Sequence, residues 1–224
     1  REALEKALGS LSVQGFEIQI SRVKKAGLDA CDFFVKLDHD HENHDHDMEY
    51  LHGHTHSHVH DAALRNECSH SLDIEQQKEH SHTHDAKSPA HSHEHRGLME
   101  IMEVIDRAQI SDRAKTTASR IFRILAKAES KAHGVSMSEV HFHEVGAVDS
   151  IVDVVAAAVC LDNLDITEVI IPFLCEGGGT VRCQHGILPV PVPAVVHILE
   201  DSRIAVKFTQ VEGELVTPTG AAIA

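Results

Sequence analysis

Tryptophan is absent, tyrosine occurs once, and aromatic residues make up only 4% of the chain. Basic residues are also scarce: 20 Lys and Arg face 35 Asp and Glu, a net charge of −15 with histidine neutral. Nucleic acid is held by clustered Lys and Arg, so this balance excludes it as an expected partner and favours cations. The five cysteines, Cys31, Cys68, Cys160, Cys175 and Cys183, contain no C-x-x-C pair, which removes zinc-ribbon and thioredoxin-like readings. Their number is odd and no secretory signal is visible, so reduced thiols in a cytoplasmic chain are expected. The longest apolar run, Val154 to Leu161, is closed by Asp153 and Asp162 and is far too short to cross a bilayer. Neither G-K-[ST] nor H-E-x-x-H occurs, so the chain carries no P-loop and no zincin helix.

What the chain has in excess is histidine. Of its 21 histidines, 16 lie between His39 and His95. His52, His54, His56, His58 and His60 occupy every second position, and His80, His82, His84 and His91, His93, His95 repeat the device. From His39 to His46 the imidazoles interleave with Asp38, Asp40, Asp45 and Asp47. Neutral imidazole suits nickel, copper and zinc, and since free imidazole side chains lose their proton at about pH 6.5, most of these rings can ligate near neutral pH. An affinity tag fits poorly, because the tract is internal, irregular and broken by acids. A multi-site tract of this kind suits storage or delivery of metal better than holding a transition state.

With 224 residues, 42% of them hydrophobic, the chain can bury a core of one or two domains. Leu4, Leu8 and Leu11 have helical spacing. Phe16, Ile18 and Ile20 alternate with polar residues as a strand does, and Cys31 to Leu37 is a second strand candidate across a turn at Gly27. Residues 39–95 carry too few apolar side chains to offset the entropy of ordering, which predicts a disordered insertion. Beyond it, Leu98, Ile101, Met102 and Ile105 form a helical stripe. Ser111-Asp112 caps a longer helix ending near Gly134, and a third helix is expected from about Val148 to Leu164. Val169 to Phe173 reads as a buried strand, a helix is expected from Pro193 to Leu199, and Ile204 to Phe208 reads as a last strand. The fold class is α+β (mixed α/β), helices packed on a small sheet. Residues 1–38 form the first part of an N-terminal domain, 39–96 the histidine-rich insertion and 97–224 the remainder. Both ends look cut, with a first strand and a C-terminal domain expected elsewhere.

Three further motifs can carry chemistry. In His141-Phe-His143-Glu144, two imidazoles share a face if the segment is extended, and Asp149 and Asp153 share a face if a helix starts near Val148. The bland alternative is an acid-capped helix with surface histidines. In Glu176-Gly177-Gly178-Gly179-Thr-Val-Arg182-Cys183-Gln-His185, a glycine run can offer N–H groups to an anion, Arg182 can pair with phosphate, and Cys183 with His185 can ligate a soft metal. In Thr217-Pro218-Thr219-Gly220, the hydroxyls either bind phosphate at a helix start or simply cap it.

In this order, H-F-H-E-V-G-A-V-D-S-I-V-D, G-G-G-T-V-R-C-Q-H-G-I-L-P-V-P-V-P-A and G-E-L-V-T-P-T-G-A-A-I resemble the LarC family of nickel-insertion proteins over essentially the whole chain. The resemblance implies a nickel chelatase, or cyclometallase, of the lyase class. Its substrate is pyridinium-3,5-bisthiocarboxylic acid mononucleotide, and CTP is consumed with Mg²⁺ or Mn²⁺, bound mainly by the C-terminal region. The product is a nickel-pincer cofactor, and apo lactate racemase or related enzymes are the implied partners. Homo-oligomer formation is left open. On this footing His141 and His143 ligate or relay nickel, with Glu144, Asp149 or Asp153 as further ligands or a general base. Gly177, Gly178, Gly179, Arg182, Thr217 and Thr219 are the candidates for holding the nucleotide, and Cys183 and His185 for passing nickel on. The competing reading, a non-enzymatic nickel or zinc store, needs only the histidine tract.

Overall fold

The computed structural model describes residues 1–38, 96–140, 142, 147–183 and 185–224. The histidine tract, with His52, His54, His56, His58, His60, His80, His82, His84, His91, His93 and His95, lies outside the described residues. So do His141, His143 and Glu144. All the described residues belong to one unit, Arg1–His46 with His93–Ala224.

Helix α1 (Glu2–Leu8) leads into strands β1 (Phe16–Lys25) and β2 (Leu28–Leu37), which pair antiparallel from Phe16↔Leu37 to Lys25↔Leu28. The two-residue turn between them, Ala26-Gly27, has φ of 50° and 80°, the doubly left-handed turn that matches the twist of a hairpin. Alternation does what it predicts: Phe16, Ile18, Phe33, Val35 and Leu37 pack on the core while Glu17, Gln19 and Lys36 face water.

Helix α2 (Leu98–Arg107) precedes α3 (Asp112–His133), which starts where Ser111 Oγ accepts the Ala114 N–H at 3.0 Å. It ends at Gly134, whose φ of 67° is the left-handed cap that glycine adopts without a Cβ clash. Helix α4 (Val148–Asn163) buries Val148, Ile151, Val152, Val154, Val155, Ala156, Ala158 and Val159, side chains all round its circumference, as a central helix must. Its C-terminal Asp162 accepts Ser111 Oγ at 2.5 Å, and Arg113 reaches Asp165 at 3.0 Å, so α3 and α4 run antiparallel.

The rest of the chain adds β3 (Leu174–Gly178), β4 (Thr180–Cys183), β5 (Gly186–Pro189), α5 (Pro193–Ser202), β6 (Val206–Glu212) and α6 (Pro218–Ile223). Helix α3 packs against α2, α4, α5 and α6, and β2 lies on α4. The α+β class stands. Among the described residues the expected small sheet is three two-stranded pieces: β1–β2, the parallel pair β3–β6 and the antiparallel hairpin β4–β5.

Two strand expectations shift. Val169 to Phe173 is not a buried strand: Val169 and Ile170 are 61% and 81% exposed, and β3 begins only at Leu174, where Val206 lies alongside. The last strand runs from Val206 to Glu212 rather than from Ile204, because Arg203 at φ 59° caps α5 and the chain must turn before pairing can start. Among the described residues no helix is long and apolar enough to cross a membrane.

Candidate functional site

Asp149 and Asp153 lie one turn apart in the first half of α4, which places residues at this spacing about 5–6 Å apart between Cβ atoms. Asp149 Oδ1 is buried without a hydrogen-bond partner. Asp153 is exposed at its edge, yet enough protein surrounds its carboxyl to disfavour the charged form, and Asp149 adds like-charge repulsion. Together they push its pKa up to about 6. A carboxyl of this kind can exchange protons near neutral pH, as a general base must.

The glycine run and the Thr-Pro-Thr motif are neighbours. Gly213 donates to the Gly178 carbonyl at 2.8 Å, and Gly177 approaches Gly213 so closely that a Cβ at position 177 would lie 2.0 Å from the Gly213 oxygen. Glu176 ties the two segments together. It is fully buried, and its Oε1 accepts the N–H groups of Gly177 at 2.7 Å, Leu215 at 2.9 Å and Val216 at 3.3 Å. Its Oε2 is buried with no partner. The Gly177 amide, a candidate donor to a phosphate, is therefore already engaged by Glu176. Gly178 pairs with Glu212 in the sheet, and Gly179 makes the turn into β4 at φ 85°. Thr217 Oγ1 accepts the Gly220 N–H at 3.1 Å and caps α6, with Pro218 in its first turn and Thr219 one residue further.

Arg182 is exposed on β4, opposite Ile187 of β5. At the end of this hairpin Cys183 Sγ lies 3.9 Å from His185 Nδ1, and the His185 ring stands 4.9 Å from that of His133, at the C-terminus of α3. The structure thus joins the predicted sites in three groups: the α4 carboxylates, the glycine run with the Thr-Pro-Thr loop, and the Cys183–His185 pair.

Sequence reading missed two things. Glu176 opened the glycine motif without a role, although a lone acid between Cys175 and three glycines is a recognisable candidate for binding backbone amides. Glu129 and His133 also passed unremarked, although i, i+4 spacing puts them on one helix face and Gly134 marks the helix end beside them.

A carboxylate pair and a thiol–imidazole pair, in an acidic and histidine-rich chain, are side chains of the kinds that bind metal ions. The family described as nickel insertion protein matches residues 1–224, and the chain belongs to it. The pyridinium-3,5-bisthiocarboxylic acid mononucleotide nickel insertion protein of Alkaliphilus metalliredigens is 49% identical over 223 residues, 100% of this chain and 45% of that protein. The protein of the same name from Acetivibrio thermocellus is 46% identical over 133 residues, 59% of this chain and 33% of its own length. A putative nickel insertion protein of Geotalea uraniireducens is 50% identical over 135 residues, 60% of this chain and 34% of its own. The chain spans less than half the length of these curated relatives. No solved structure matches it.

Proposed function

We propose that the protein carrying this chain inserts Ni(II) into pyridinium-3,5-bisthiocarboxylic acid mononucleotide, with CTP and Mg²⁺ or Mn²⁺, to make the nickel-pincer cofactor used by lactate racemase. The names and identity of the curated relatives support the nickel and the mononucleotide. CTP, the lyase class and a racemase partner rest on the family resemblance.

Within the chain, the observation that carries the reading is the Asp149–Asp153 pair. A pincer complex has one nickel–carbon bond, made by replacing a ring C–H. The ring carbon keeps the electron pair and binds Ni²⁺, and the proton must go to a base. Asp153, with a pKa raised to about 6, is ionised often enough at neutral pH to take that proton and basic enough to hold it. In this reading His141, His143 and Glu144, which precede α4 in sequence, hold the incoming ion. Arg182 and Thr219 are candidates for the mononucleotide phosphate, and Thr217 shapes the turn that presents Thr219.

The test is turnover by the whole protein with Ni(II), CTP and the mononucleotide, read by mass spectrometry. A nickel-containing product that requires CTP and is lost in Asp153→Asn supports the proposal. Tight nickel binding without product would leave a metal store, the function for which the histidine tract alone suffices.

A further inference from the structure

Helix α3 and the β4–β5 hairpin bring four metal-ligating side chains into one row. Glu129 Oε2 lies 3.5 Å from His133 Nε2, the His133 and His185 ring centroids are 4.9 Å apart, and His185 Nδ1 lies 3.9 Å from Cys183 Sγ. Two come from the last turns of a helix and two from the tip of a hairpin, so neither element could build the row alone. We propose that Glu129, His133, Cys183 and His185 form a binding site for one divalent late first-row metal ion, bridging the end of α3 to the β4–β5 turn.

The chemistry of the donors selects this class of ion. A thiolate and two imidazoles favour nickel, zinc and copper over magnesium or calcium, and one carboxylate completes a four-donor set. The spacing agrees. A thiolate at about 2.3 Å and an imidazole nitrogen at about 2.0 Å from one tetrahedral ion stand about 3.5 Å apart. The observed 3.9 Å closes to that value with a small side-chain rotation. As the side chains lie, no three among the described residues converge at coordination distances. An ion therefore draws His133 toward the Cys183–His185 pair rather than entering a finished cage, as suits a site that must also release its ion. The site is reachable from solvent, with the His133 side chain 34% and that of Glu129 17% exposed. Each half sits at the end of an element: Gly134 caps α3 immediately after His133, and Gly186, at φ 94°, opens β5 immediately after His185. The existence of the site rests on this geometry; only the choice of nickel as its ion rests on the function proposed above.

Residue-resolved thiol alkylation of the full-length chain tests it. Iodoacetamide labelling is followed by peptide mass spectrometry, with and without Zn(II) or Ni(II) in excess over the histidine tract. A metal-held thiolate is unavailable to the reagent, so Cys183 should react about tenfold more slowly with metal. The exposed Cys31 and Cys175 should be unchanged, and His133→Ala and His185→Ala should each abolish the protection. Both histidines are at the surface, and far-UV circular dichroism confirms that the variants fold. Cys183 labelling that ignores metal, or protection that survives both substitutions, would overturn the proposal. Labelling is read without turnover, so the insertion assay succeeds or fails independently.

Discussion

Glu176 Oε1 accepts the backbone N–H of Leu215 at 2.9 Å, from a residue 39 positions further along the chain. The same oxygen takes the amides of Gly177 and Val216, so one buried atom fastens the end of β3 to the loop that enters α6. Glu176→Ala leaves three backbone donors without their acceptor. At about 1–3 kcal/mol for an orphaned buried donor, and with water reaching the partly exposed Leu215, the expected loss is about 3 kcal/mol. Glu176→Gln keeps an acceptor oxygen and should cost about 1 kcal/mol. Urea unfolding of the two variants, compared by midpoint at equal slope, measures the difference.

Gly177 and Gly178 are adjacent and should respond in opposite ways. A methyl group at 177 meets the Gly213 oxygen at 2.0 Å and the Val211 oxygen at 2.9 Å, both backbone, whereas one at 178 meets nothing within 4 Å. Gly177→Ala is expected to destabilise by about 3 kcal/mol or to prevent folding, and Gly178→Ala to stay within about 1 kcal/mol of the parent. Equal melting temperatures for the two variants would contradict the close backbone approach.

The pH dependence follows from Asp153. Its pKa is raised to about 6, first by burial and then by Asp149, so the folded chain binds a proton that the unfolded chain releases at lower pH. The contribution of Asp153 to stability is therefore full below the ordinary carboxylate pKa and falls as pH rises toward about 6. In its proposed role as the base, Asp153 gives activity the opposite sign: insertion would need the ionised form and should rise through about pH 6. Asp149→Asn removes the repulsion and should move this limb to lower pH, while Asp153→Asn should abolish it. A pH profile of turnover under nickel saturation reads both.

Removing residues 39–95 from the whole protein separates reservoir from catalyst. If the tract is a reservoir, insertion should persist at saturating nickel and fall only when nickel is limiting. Loss of turnover at every nickel concentration would assign the tract a direct part.

Where periodicity and punctuation agreed, the sequence was legible to within a residue or two. Ser111 and Gly134 bound α3 because a hydroxyl cap and a left-handed glycine are local signals, and the β1–β2 hairpin follows from strict alternation around Gly27. The Val169 to Phe173 stretch misled, since a short apolar run carries no information on whether another strand lies beside it. Pairing with β6, more than thirty residues away, starts only at Leu174. The shared helix face of Asp149 and Asp153 was legible from spacing alone. Glu176 and His133 were not, because their partners, the 213–216 loop and His185, are joined to them only by tertiary folding.

The antiparallel run of α3 and α4, latched at Ser111 and Asp162, also works as a measuring stick. At 1.5 Å per helical residue, Asp149 lies about 20 Å from that latch along α4, and His133 about 33 Å from it along α3. Both distances are counted in the same direction, so the carboxylate pair and the thiol–imidazole row fall toward one end of the helix pair, about 13 Å apart along the axis. Asp153, the proposed proton acceptor, sits one turn nearer the latch, so an ion released from the row would have about 19 Å to travel along the axis to reach it, over a path whose length is set by two rigid rods.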